Sequence, residues 1–267
     1  MASRLNKTRL AVRLGIARSS LYYLSKKQAP DEQSKQLIVS VMAGNPSYGH
    51  KRIAVALKMN KKKVLRLMQK FGLKPRIMRG KKLVKPSDRN QPVAEYSNIV
   101  YKICPLYANV AWAGDFTYLR YKGSFIYLAT VIDLYTREIV GSAISAWHSA
   151  PLVKAAFDAA AKTRQCLPKY FHSDQGSEYQ SETHTAQLKK HGVIVSMSKK
   201  SSPWQNGYQE SFYSQFKLEL EDINRFETSG HLAEEIYHQL HYYNTKRIHT
   251  AFNMSPQQFY ERRQDRS

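Results

Sequence analysis

The chain has 267 residues, 42% of them hydrophobic, and carries 42 Lys and Arg against 20 Asp and Glu, for a formal net charge of +22. That apolar content suits a sizeable buried core and argues against a disordered chain. No run approaches the ~20 apolar residues of a membrane span, no charged-then-apolar leader opens the chain, and Cys104 and Cys166 form no metal-spacing pattern, so a reduced cytoplasm with no membrane partner is expected. The charge is unevenly spread. Residues 1–92 hold 23 Lys and Arg against Asp31, Glu32 and Asp88, whereas the other 175 residues hold 19 basic and 17 acidic side chains. A concentrated basic region predicts a polyanion partner. Nucleic acid fits better than an anionic membrane, because the segment offers no single long amphipathic face with aromatics.

In chain order, residues 4–24 read as two short helices: Leu10 and Leu14 share a face, Gly15 breaks the first, and Ser19 or Ser20 caps the second. Residues 48–76 repeat the pattern. Ile53 and Leu57 form one apolar face, Met59-Asn60 punctuates, and Val64, Met68 and Phe71 recur at helical spacing before Gly72. Both units are compatible with a helix-turn-helix. Lys61, Lys63 and Arg66 are the residues expected to meet DNA there, mainly at phosphate; a solvated basic face is the plainer reading. The pattern lapses from Lys74 to Pro92 into a proline-rich basic linker. The organisation expected is therefore a basic helical region at 1–73, a linker at 74–105, a core at 106–225 and a helical extension at 226–267.

Residues 109–146 read as a three-stranded meander. Its first strand carries Asp115, and Asp133 sits at its second turn, where a hairpin role suits it. A helix over 150–163, a strand over 169–173 ending at Asp174, a helix around 182–191 and a short strand over 193–197 follow. Pro203-Trp204-Gln205-Asn206-Gly207 is a turn signal, and the helix after it repeats Phe212, Phe216 and Leu220 every four residues. That helix opens with Glu210 and brings Lys217 to the same side two turns later, along with Tyr213 and Ser214. Residues 229–243 form a helix with Leu232, Ile236, Leu240 and Tyr243 on one face. His231, His238 and His241 are interleaved with that apolar face and make no zinc site.

The segments DFTYL, HSDQGSEY, PWQNGYQESF and YNTKRIHTAFNMSPQQF occur in this order. Together they resemble the DDE transposases of bacterial insertion sequences, of the OrfB type with a retroviral-integrase-like catalytic core. The likeness covers nearly the whole chain. One departure is Gln205-Asn206-Gly207, where the family often has Asp-Asn-Ala; it touches the loop and leaves the acids intact. The resemblance implies an α/β, ribonuclease-H-like mixed sheet with flanking helices, preceded by small helix-turn-helix-like modules.

It also implies that Asp115, Asp174 and Glu210, the last two separated by thirty-five residues, are the catalytic and metal-binding acids. Three such carboxylates would repel one another and raise each other's pKa unless a cation sat among them, and all-oxygen ligation suits Mg²⁺ or Mn²⁺. Two ions roughly 3.5–4 Å apart, with Asp115 bridging both, would assist an in-line displacement at phosphorus. Trp204, Asn206, Tyr213 and Lys217 would lie at the DNA, and Asn244, Arg247 and His249 match the family's tail motif, read chiefly as packing. His172 is expected to pack or bond near Asp174 and is not needed as a base. The activity implied is strand cleavage and strand transfer by water or a DNA 3′-hydroxyl, without a covalent protein intermediate. The partners implied are double-stranded element ends and target, a homo-oligomer on paired ends, and an upstream-frame OrfA fusion or partner. The alternatives are a ribonuclease-H-type nuclease and a DNA-binding regulator with a non-catalytic core.

Overall fold

The computed structural model describes residues 7–22, 28–77, 96–103, 105–199 and 202–264; most of the expected linker and Cys104 lie outside them. The chain divides into two compact units, Met1–Lys74 and Pro75–Ser267.

In the first unit, helix α1 spans Lys7–Arg13, and Gly15 takes the left-handed conformation at φ 65°. The second helix expected before residue 24 is instead a 3₁₀ turn, Arg18–Tyr22. The Ser20 amide bonds back to the Ala17 carbonyl, three residues earlier, and five residues with two adjacent serines do not sustain an α-helix. Helix α2, Gln28–Gly44, has no counterpart in the sequence reading. Its inner face buries Asp31 and Ser34 beside Ile38 while Leu37 and Val39 stay exposed, so its hydrophobic periodicity is scrambled. Helices α3, His50–Ala56, and α4, Lys61–Lys70, form the expected hairpin and bury Ile53, Val64, Leu67 and Met68. Asn60 caps α4 by accepting from the Lys62 amide at 2.8 Å. At the other end Gly72 has φ 64°, and the Leu73 amide returns to the Met68 carbonyl at 2.8 Å, a Schellman closure that a non-glycine residue would strain.

The second unit is built on a five-stranded sheet ordered β3-β2-β1-β4-β5. Strands β1 (Ala111–Tyr121), β2 (Ser124–Asp133) and β3 (Ile139–Ser145) form the antiparallel meander. Positive φ at both Lys122 and Gly123 supplies the tight two-residue turn that suits the strand twist. Asp133 is fully buried and organises the second turn: Oδ1 accepts from the Tyr135 and Thr136 amides and Oδ2 from the Asn109 amide. It is a turn anchor, in line with the hairpin role expected of it. Strand β4 (Tyr170–Ser173) runs parallel to β1, and β5 (Ile194–Met197) parallel to β4.

Helices cover both faces. On one, α5 (Ala150–Arg164) and α7 (Glu182–Lys190) pack Val153, Ala156, Phe157 and Leu188 against Trp112, Val131 and Val140. The close approach of α5 depends on Gly141, where an added Cβ would stand 2.2 Å from the Ala156 carbonyl oxygen. Short helix α6, Ser177–Gln180, precedes α7. On the opposite face α8 (Gly207–Leu220) and α9 (Ser229–Thr245) pack Phe212, Phe216, Leu232 and Ile236 against Ala113, Leu119, Leu128 and Ile132.

The residues expected as an extension are thus part of the same core. Asn244 brackets Ile139, accepting from its amide at 2.9 Å and donating to its carbonyl at 2.8 Å. Buried Arg247 pairs with Glu219 at 2.9 Å and donates to Gln215, and α10, Pro256–Gln264, follows. This mixed sheet with flanking helices, preceded by a helical unit, is the ribonuclease-H-like architecture expected. Among the described residues no helix is long and apolar enough to cross a membrane.

Candidate active site

The parallel ladder between β1 and β4 runs from Ala111 opposite Tyr170 to Ala113 opposite His172. Continued by two residues, that register would set Asp115 level with Asp174, at the point where the two strands have parted. Asp115 remains paired to Thr130 of β2 on its other side, and its Oδ1 accepts from the Phe116 amide at 2.8 Å. Asp174, just past the end of β4, accepts from the Gly176 amide at 2.9 Å. Glu210 stands in the first turn of α8.

The electrostatics tie these acids together. Burial, then the charge of Asp174, pushes the Asp115 carboxyl up to about 7; Glu210 adds to the shift, while the Phe116 amide and Lys217 oppose it. Burial also raises Asp174, against the Gly176 amide, and raises Glu210. Lys217 is half-buried, and its pKa is lowered by burial against the attraction of Asp115. Three acids and one lysine therefore share a single electrostatic neighbourhood.

The inner side of α8 sets their positions. Gln209 is wholly buried; its Nε2 donates to the Ala113 carbonyl at 2.7 Å and the Thr130 carbonyl at 3.1 Å, and its Oε1 accepts from the Thr130 hydroxyl at 3.0 Å. One turn on, the Tyr213 hydroxyl donates to the Asp115 carbonyl at 2.7 Å and lies 2.8 Å from Thr130 Oγ1. Tyr213 is 6% exposed, so in this structure it packs as a core anchor. Asn206 is likewise buried, with Nδ2 3.4 Å from the Gly114 carbonyl. The likeness placed both residues near the site without saying which way they face. The Trp204 side chain lies outside what the structure describes. His172 bonds Ser196 Oγ at 3.0 Å rather than Asp174, and burial pushes its pKa down to about 4, so it is neutral.

Sequence reasoning missed Gln209, Thr130 and Glu178. Glu178 is buried, accepts from Ser177 and stands 2.6 Å from His148 Nδ1. A Cβ on Gly176 would lie 3.0 Å from Asp174 Oδ1 and 3.3 Å from Glu178 Oε2, so this fourth acid flanks the same turn. Gln209 adjoins Glu210 within PWQNGYQESF, but nothing in that segment marks its side chain as buried. In the first unit, Lys61 and Lys63 are exposed on α4. Arg66, also exposed, is paired with Asp31 at 2.6 and 2.9 Å.

The donor chemistry of the three acids fits a hard divalent cation: all are carboxylates, and the burial and neighbouring charges that raise the Asp115 carboxyl are costs that a bound cation would relieve. Among the described residues no three His, Cys, Asp or Glu side chains form a group that could hold a metal ion.

The profile of the Integrase core domain family matches residues 107–203, and a second Integrase core domain profile matches residues 191–256. The transposase for insertion sequence element IS904 of Lactococcus lactis is 34% identical over 245 residues, covering 88% of this chain and 96% of that protein. The chain belongs to the transposases of bacterial insertion sequences. Transposase InsF for insertion sequence IS3A of Escherichia coli is 35% identical over 155 residues, 57% of this chain and 54% of that one. Among solved structures, the HTLV-2 integrase catalytic core domain in complex with magnesium superposes with a TM-score of 0.50 at 17% identity, over 58% of this transposase and 98% of that chain. The simian T-cell lymphotropic virus intasome in complex with PP2A regulatory subunit B56 gamma gives 0.52 at 14% identity, over 84% of this chain and 74% of that one. These likenesses establish the shared fold. The transposase is accordingly a polynucleotidyl transferase with an integrase-type core.

Proposed function

We propose that Asp115, Asp174 and Glu210 are the catalytic acids of this transposase, acting on the DNA ends of an insertion sequence and on target DNA. The observation that carries this reading is the raised Asp115 carboxyl, whose charge is opposed by burial, Asp174 and Glu210 together. Bound Mg²⁺ or Mn²⁺, expected as a pair, would supply Lewis-acid activation of the attacking oxygen and stabilisation of the leaving one.

The chain's own residues do the positioning. β1 fixes Asp115, the turn after β4 fixes Asp174, and α8, pinned by Gln209 and Tyr213, carries Glu210 and Lys217 to the open strand edge. Lys217, whose charge acts on Asp115, would neutralise a scissile phosphate. The exposed Lys61 and Lys63, in a region of high positive charge, would hold DNA chiefly through phosphates. Assembly as a homo-oligomer on paired ends follows the precedent of the viral intasome, and fusion to an upstream OrfA frame follows the OrfB resemblance.

The test uses labelled DNA from the flanks of the gene, incubated with the protein and Mg²⁺ or Mn²⁺. Defined nicks and joined products, lost in Asp174→Asn, in Glu210→Gln and with chelator, are expected. Product formation that survives both substitutions would overturn the assignment. Metal-dependent product absent from the chain alone but restored by fusion to the upstream frame would assign the OrfA partner.

A further inference from the structure

We propose that a row of aromatic rings starting at Phe116, the residue after Asp115 in β1, is a stacking surface for unpaired DNA bases. The inference rests on the assignment of Asp115 above and adds a substrate contact to it. Phe116, the residue after Asp115, stacks on His148 with centroids 6.4 Å apart and planes 7° from parallel. Tyr127 lies 5.2 Å from His148 and 6.4 Å from Phe125, and Phe125 meets Tyr118 edge-on at 5.6 Å. The rings thus run without a gap from the neighbour of Asp115 towards the Lys122-Gly123 turn.

These residues sit on the side of the β1–β2 hairpin away from the Asp115 side chain, because successive side chains of a strand alternate, with Tyr118 opposite Tyr127 and Phe125 opposite Arg120. Nearer the core, the same side is covered by α5. At the outer end Tyr118 is 60% exposed and Phe125 46% exposed, and a sheet face this aromatic is normally covered.

Charge selects the occupant. Lys217 Nζ lies 5.0 Å from the centre of the Tyr118 ring while it also acts on Asp115, and Arg120 is exposed beside Phe125. One cation therefore serves both the acids and the ring row. Rings interleaved with cations suit a strand whose bases stack and whose phosphates are gripped, as single-stranded nucleic acid is bound elsewhere. A protein partner would not need a cation shared with the acids.

The test compares binding of blunt flanking DNA with the same DNA bearing a three-nucleotide single-stranded extension that contains 2-aminopurine. Wild type should prefer the extended form and quench the probe. Tyr118→Ala and Phe125→Ala should each lower that preference about fivefold or more, the loss of one stacked base, while Tyr118→Phe should retain it. Affinity for the blunt duplex and the melting temperature should stay unchanged in all three, since the rings are on the surface. Asp174→Asn should keep the preference and lose only product, which separates failure of this surface from failure of the catalytic assignment. A preference unchanged in both alanine variants would overturn the proposal. So would alanine variants that alter the oligomeric state in light scattering with no change in quenching, which would make the row an interface between copies.

Discussion

The Tyr213 hydroxyl donates to the backbone carbonyl of Asp115 at 2.7 Å. A helix residue thereby holds the main chain of a strand at the point where that strand presents its acid. Tyr213→Phe removes the donor and leaves a buried carbonyl with fewer partners, a cost of about 1–3 kcal/mol. Strand cleavage should slow by about ten- to a hundredfold, as expected when a reacting group is slightly misplaced. DNA affinity should not change, because the hydroxyl does not reach the surface. Cleavage kinetics and duplex binding on the same preparation check this; loss of affinity with unchanged turnover would return Tyr213 to the DNA.

The Asp115 carboxyl gives a pH signature. Burial and Asp174 raise its pKa to about 7 in the folded protein, against about 4 when unfolded. The folded form therefore binds the extra proton between these values, and stability falls as pH rises through that window. Asp115→Asn, which never ionises, should raise the melting temperature relative to wild type at pH 8 and do so far less at pH 4. Scanning calorimetry at the two pH values, without divalent cation, reads the difference directly.

Within the basic unit, Asp31 shows the opposite sign. Hydrogen bonds from Arg66 and Lys70 hold its carboxyl well below the usual carboxylate range. Its contribution is present above about pH 4, the unfolded value, and is lost as pH falls through the depressed folded value. Asp31→Asn should lower the melting temperature at pH 7, with the deficit shrinking in strong acid. Equal melting at pH 7 would mean that the two ion pairs do not support the packing of α2 on α4.

Gly141 permits the contact between β3 and α5. An added Cβ would lie 2.2 Å from the Ala156 carbonyl oxygen and 2.5 Å from the Ala160 nitrogen, both helix backbone, which cannot swing aside. Gly141→Ala should cost about 1–3 kcal/mol in urea unfolding, or more if the helix cannot shift. Gly44→Ala is the control: nothing lies within 4 Å of the added atom, and the change should be neutral or stabilising by up to about 1 kcal/mol.

Much of this was legible in the sequence because periodicity and burial agree there. The meander, α5, α7 and α9 all declare themselves through runs whose apolar residues face one core. Helix α2 did not, because buried Asp31 and Ser34 occupy positions where a pattern reader looks for leucine. The three acids were legible as ordered motifs, whereas the facing of Asn206 and Tyr213 was not. A residue one turn along from Glu210 can point to the DNA or into the core, and only the packing of α8 on β1 and β2 decides between them. Gln209 escaped for a related reason: a buried amide satisfied by three hydrogen bonds has no sequence signature distinct from a surface glutamine.

The acids are contributed by β1, by the turn after β4 and by α8, and Glu210 enters the chain long after α4 is complete. Synthesis therefore completes the basic unit well before the set of acids. At about 5–20 residues per second, a ribosome that has finished α4 needs on the order of ten seconds or more to reach α8. During that interval the nascent chain carries its basic unit without its third carboxylate.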